Sequence, residues 1–139
     1  MRQKIIDAIV AILTEEYPDC PVYTERVEQG LKTPCFFAYQ IGATIRRQIG
    51  KRISEKYSFA VQYLPASEEP RAECAEVEET LYCLLEDVTA DGDVLHSDDI
   101  TSETTDEVLT VYPSYSFFTR EQEAAGDLMT DYRIEGDVS

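Results

Sequence analysis

The sequence predicts a single-domain α+β fold: a mostly antiparallel β-sheet with two helices packed on one face. Three observations lead there. Residues 2–16 and about 70–87 carry apolar side chains at helical spacing. Ile53 to Tyr63 alternates with a period of two. The elements follow the order helix, strands, helix, strands, which segregates helices from an antiparallel sheet rather than interleaving them with a parallel one.

In the first helix Ile5, Ile9, Ile12 and Leu13 follow the 3.6-residue period while Lys4, Asp7 and Glu15 face away, and Pro18 ends it. A short strand is expected at about 21–25, then a turn over Arg26–Gly30 in which Gly30 supplies a positive φ. Residues 34–41, rich in aromatics and opened by Pro34, read as a strong strand. Residues 43–52 carry Arg46, Arg47, Lys51 and Arg52 and no acid. They form either the ends of two long strands joined by a turn at Ile49-Gly50 or an extended arm, and in both cases project from the body. In the strand that follows, Ile53, Tyr57, Phe59, Val61 and Tyr63 share a face with Glu55, and the strand pairs most simply with 34–43.

Residues 64–70 are a loop, with Ser67 the expected N-cap of the second helix and Pro70 in its first turn. Its apolar stripe is Cys74, Val77, Leu81, Leu84, Leu85 and Val88; its wet face is Glu73, Glu76, Glu78, Glu79 and Glu86. Asp91-Gly92-Asp93 is a tight turn into a polar strand marked by Val94, His96 and Ile100. The chain turns again at 105–107. A last strand runs over Val108–Phe118 with Leu109, Val111, Tyr115 and Phe117 on one face, and Pro113 points to an edge or a bulge. The domain is expected to span 1–120, followed by an acidic flexible tail over 121–139.

Charge separates the two halves of the chain. Residues 1–60 hold nine of the twelve Lys+Arg and seven of the twenty-eight Asp+Glu; residues 61–139 hold the other three basic and twenty-one acidic residues. Such asymmetry suits a subunit that meets a copy of itself head-to-tail, a contact that closes into a ring or runs on as a filament. The net charge of −16 argues against nucleic acid as a tight partner. No stretch reads as a membrane span or a signal peptide, so a cytosolic context and reduced Cys20, Cys35, Cys74 and Cys83, mostly buried, are expected.

No catalytic constellation emerges, and no cofactor or metal is expected. His96 is the one candidate general base, but His96-Ser97-Asp98 are consecutive strand residues whose side chains alternate between faces. Asp87, Asp91, Asp93, Asp98 and Asp99 lack the spacing of an EF-hand loop. The cation cluster reads as a solvated tip, a phosphate contact or a dock for an acidic neighbour. Ile45 and Ile49 interleaved with the cations favour the protein contact over phosphate. The residues expected to carry assembly are therefore Arg46, Arg47, Lys51 and Arg52 on one side and Glu73, Glu76 and Glu79 on the other.

The run Tyr23-Thr24-Glu25-x-Val27-Glu28-Gln29-Gly30-Leu31-Lys32-x-Pro34-Cys35-Phe36-Phe37 is followed by a basic hairpin and by Tyr57-x-Phe59-x-Val61-x-Tyr63-x-Pro65. A single acidic helix, Asp91-Gly92-Asp93 and Tyr115-x-Phe117-Phe118 complete the pattern. In this order the chain resembles, over about residues 1–120, the tail terminator proteins of long-tailed bacteriophages and prophages. The resemblance implies a non-catalytic virion tail protein assembled in the host cytoplasm. Its subunits form a hexameric ring on the tail tube protein, stop tube growth and present a surface to the head-completion proteins. Six globules of about 35 Å leave a hole wide enough for DNA to pass without specific binding. A neck or head–tail connector ring protein is the alternative within the same particle; a small enzyme using His96 and an acidic DNA-mimic inhibitor are the alternatives outside it.

Overall fold

The computed structural model describes residues 2–25, 31–121 and 132–134. Its elements are α1 (Arg2–Glu16), β1 (Val22–Tyr23), β2 (Cys35–Arg47), a 3-10 turn (Ile49–Lys51), β3 (Arg52–Leu64), α2 (Pro70–Leu84), β4 (Asp87–Ala90), β5 (Asp93–Thr105), β6 (Val108–Glu121) and β7 (Tyr132–Ile134). The sheet order is β1-β2-β3-β6-β5-β4, with β7 beside the end of β6. Every pairing is antiparallel except β1 with β2. The expected turn at 26–30 lies outside the described residues, as does most of 121–139, of which 132–134 form β7.

Both helices lie on one face of the sheet and share one core. From α1 come Ile5, Ile6, Ile9 and Leu13; from α2 come Cys74, Val77 and Leu81. They meet Phe36, Ala38, Phe59, Val61, Tyr63, Leu109, Val111, Tyr115 and Phe117 of the central strands. Aromatic rings carry much of the contact, with Phe36 4.9 Å from Tyr63 and 5.1 Å from Tyr17 between centroids. Ile12, expected in the core, is only partly buried, and Ile6 takes a fully packed place in the α1 stripe.

The second helix is shorter at its end than its apolar pattern predicts. It stops at Leu84, and Val88, expected in its stripe, is instead a buried residue of β4. The cause is tertiary. Tyr115 Oη donates to the Leu85 carbonyl oxygen at 2.5 Å, satisfying an orphan acceptor where the helix ends. Its start also differs from expectation. Glu69, not Ser67, is the N-cap residue and makes no side-chain cap. Glu73 instead ties the preceding loop to the helix: its carboxylate accepts the backbone N–H of Ser67 at 2.9 Å and of Ala66 at 3.3 Å, and the hydroxyl of Tyr63. Ser67 Oγ accepts the Glu69 N–H at 3.2 Å.

Two-residue turns set the register of the second half. Asp91-Gly92 joins β4 to β5 with φ of 54° and 83°, and Asp106-Glu107 joins β5 to β6 with φ of 51° and 65°. These are the left-handed turns whose twist matches a hairpin. The polar strand expected near His96 is therefore far longer than its apolar content suggests, reaching Thr105. Pro113 does not mark an edge, because β6 lies between β3 and β5. Its missing donor is accommodated where the β3 ladder passes from Ser58↔Ser114 to Val61↔Val111, and the β5 register shifts nearby, between Ser97 and Asp99.

Candidate assembly site

The cationic segment is a hairpin. β2 continues to Arg47, the chain turns through Ile49–Lys51, and β3 starts at Arg52. The Gln48 N–H closes the turn on the Arg52 carbonyl at 2.7 Å, with Gly50 and Lys51 at positive φ. Of the two readings left open by the sequence, paired strand ends is the one realised. The tip is held out in solvent, with Ile49 99% exposed and Ile45 61% exposed.

The two strands of this hairpin are not equivalent. The outer half of β3 is backed by β6, with Ile53↔Thr119 and Glu55↔Phe117 in register. Glu55 ties the pair together: Tyr57 Oη and Thr119 Oγ1 each donate to its carboxylate at 2.8 Å. Burial and the Glu55 carboxylate push the Tyr57 hydroxyl up to about 12. Arg52 places its guanidinium 4.5 Å from the centre of the Phe118 ring. The outer half of β2, by contrast, is bonded on one side only among the described residues.

A bulge between Gln40 and Gly42 changes which side chains face the helices. Before it, Phe36 and Ala38 do; beyond it, Ala43, Ile45 and Arg47 do, opposite Tyr57, Glu55 and Ile53. Arg46 and Arg47, as consecutive strand residues, lie on opposite faces of the sheet, and the bulge puts Arg47 on the helix side. Arg46 shares the open face with Arg52, and Lys51 sits in the turn.

The three glutamates expected to answer these cations are spaced three residues apart along α2 and differ in their surroundings. Glu73 is half-buried and occupied by Tyr63, Ala66 and Ser67. Burial alone would raise its carboxyl, but the hydrogen bonds from Ser67 and Tyr63 outweigh it and hold the group below the usual range. Glu76 lies near Tyr17 at the end of α1, and Glu79 is exposed. A different acidic group collects at the opposite side of the sheet, along β5. Asp98 accepts the Ser116 hydroxyl, Glu103 accepts Tyr112 Oη at 2.8 Å, and Glu78 of α2 accepts the Ser102 hydroxyl. Glu78, Asp106 and Glu107 line an open cleft there with Arg71, Ala75 and Thr104. Sequence alone marked a polar strand near His96 and a run of aspartates, but did not join them to Glu103 and Glu78, because that grouping depends on how β5 pairs with β6 and packs against α2.

His96 and Ser97-Asp98 form no triad. His96 Nδ1 pairs with Asp87 across β4–β5, while Asp98 is turned to Ser116. The four cysteines are free thiols: Cys35 and Cys74 are buried, Cys20 is half-buried, and Cys83, against expectation, is exposed. Among the described residues no group of His, Cys, Asp and Glu is arranged to hold a metal ion, and no helix is long and apolar enough to cross a membrane.

A small sheet with helices on one face and a charged arm extended from its edge suits a structural subunit. The family comparison agrees. The chain belongs to the phage tail terminator protein family, whose model matches residues 4–127. That membership places it among structural proteins of virion assembly located in the phage tail, and implies contact with tail-tube and head-connecting proteins. No curated protein matches the chain. Solved structures do, among them one 15% identical that aligns over 88% of this chain and 94% of its own with a TM-score of 0.43, a likeness too loose to carry an argument.

Proposed function

We propose that this protein forms a ring, hexameric by its family resemblance, that caps the head-proximal end of the tail tube, ends tube polymerisation and offers the head-completion proteins a docking surface. The observation that carries this reading is the family match over residues 4–127. The exposed cationic hairpin supports it. Arg46, Arg47, Lys51 and Arg52 make the projecting hairpin end one contact element, with cations on both of its faces; the acidic second half of the chain, Glu76 and Glu79 included, forms the other. Glu73 contributes by fixing the start of α2. Unlike patches on one subunit favour a head-to-tail closed contact over a two-fold one. With a net charge of −16 the ring lets DNA pass without gripping it. Assembly takes place in the host cytoplasm, from a phage or prophage genome.

Electron microscopy of the protein with purified tail-tube protein tests the proposal. Rings seated on one end of the tubes, and tubes that stop growing when the protein is added, are expected. Tubes that elongate equally with and without it would refute the capping role.

A further inference from the structure

The sheet has two long edges that no described strand covers. One is the outer half of β2, residues 42–47; the other is the stretch of β5 beyond the β4 pairing, residues 99–105. Exposed edges of this length are a template for pairing, and folded proteins usually shield them. The backbone directions can be read from three bonds: Phe36 N–H to Pro21, Gln48 N–H to Arg52 and Ser97 N–H to Glu86. Alternation from these anchors turns the N–H and C=O of Ala43, Ile45 and Arg47 away from β3, and those of Ile100, Ser102 and Thr104 away from β6.

We infer that these two edges are the two halves of one contact: β2 of one subunit adds as an antiparallel strand to β5 of the next copy. This rests on the ring reading above and specifies its geometry. Four observations support a second copy as the occupant. Between the edges lie β3 and β6, and the four strands alternate in direction, so two copies in the same orientation present antiparallel edges. The outward-facing residues on both edges have side chains on the helix face, so the alternations agree. The charges are complementary. On the open face Arg46 meets a strand bearing Asp99 and Glu103, and on the helix face Arg47 approaches the Ser102–Glu78 pair.

The fourth observation is the offset. Gly42 and Asp99 stand at the same level, through Gly42↔Ser58↔Ser114↔Asp99, and the free stretches run from there in opposite directions. Joining them shifts neighbouring copies by five to six residues, roughly 18 Å, across four strands about 19 Å wide. The implied tilt of about 40° is that of strands in closed barrels. The joined sheets thus close around an axis rather than extending flat.

Ile45→Pro removes one outward N–H and no bond within the hairpin, while Ile45→Val keeps it. Analytical ultracentrifugation and electron microscopy, with tube ends supplied, should show rings for wild type and Ile45→Val and none for Ile45→Pro, with circular dichroism unchanged in all three. In the second arm, Arg46→Glu and Glu103→Arg each weaken assembly by about tenfold and the double variant restores it. Rings from Ile45→Pro at wild-type concentrations, or no restoration in the double variant, would overturn the edge pairing and leave the ring intact. Wild type that never assembles on tube ends would remove both.

Discussion

The lower and upper halves of the β2–β3 hairpin are built from the same two strands and behave as different materials. Below the bulge at Gln40, β2 and β3 lie under both helices, with Phe36, Ala38, Phe59 and Val61 fully or nearly fully buried. Above it the same pairing continues without a break from Gly42↔Ser58 to Arg47↔Ile53, yet β2 has exposed Ile45, Arg46 and Arg47. Backbone hydrogen bonding is equal in the two halves. What differs is the layer behind it: two helices below, solvent on the β2 side above. Stability therefore resides in the lower half, and the upper half is available for contact at small cost to the fold.

Phe59→Ala should break the comparison from its strong side. Phe59 is fully buried, 6.2 Å from Tyr115 between ring centres, and its truncation should cost about 3–5 kcal/mol in urea unfolding. A loss under 1 kcal/mol, on the order of a surface change, would mean the helices do not seal this half.

Glu73→Gln probes the joint that pins α2 over the lower half. Its loss should cost about 1 kcal/mol near neutral pH. Because hydrogen bonding lowers this carboxyl in the folded state, its contribution is present above the unfolded-state value and disappears as pH falls through the folded one. The gap between wild type and Glu73→Gln in urea midpoint should accordingly narrow in acid; a gap that widens would reverse the assignment.

Ile49→Ala sharpens the comparison from the weak side. A side chain 99% exposed contributes little to the isolated fold, so the thermal midpoint should correspond to a change within about 0.5 kcal/mol. A larger destabilisation would show the tip packed on its own subunit.

The lower half was largely legible in the chain. Period-two alternation from Ile53 to Tyr63 and helical spacing in α1 identify core residues directly, since each reflects one buried face. The upper half was legible as an odd segment, through four cations without an acid, but not as a shape: arm and hairpin fit it equally well. Two signals misled. The apolar stripe of α2 runs on through Leu85 to Val88, although the helix ends and a strand begins, because both elements bury those residues in the same core. Of the two readings of Pro113, an edge or a bulge, the edge misled: β6 is central, and the proline's missing N–H coincides with a gap in the β3 ladder and a register shift in β5.

Local pattern alone determined the types of the long elements α1, β2, β3, α2 and β6, the antiparallel β2–β3 pair and the tight turn at Asp91-Gly92, since each depends on neighbours within a few residues of chain. Tertiary structure decided where α2 stops, which face Arg46 and Arg47 take beyond the bulge, and that an acidic strand would stand at the sheet edge opposite the cationic hairpin. Those outcomes depend on Tyr115 meeting Leu85, on one extra residue in β2 and on strand order, all set by contacts distant in sequence that no local period encodes.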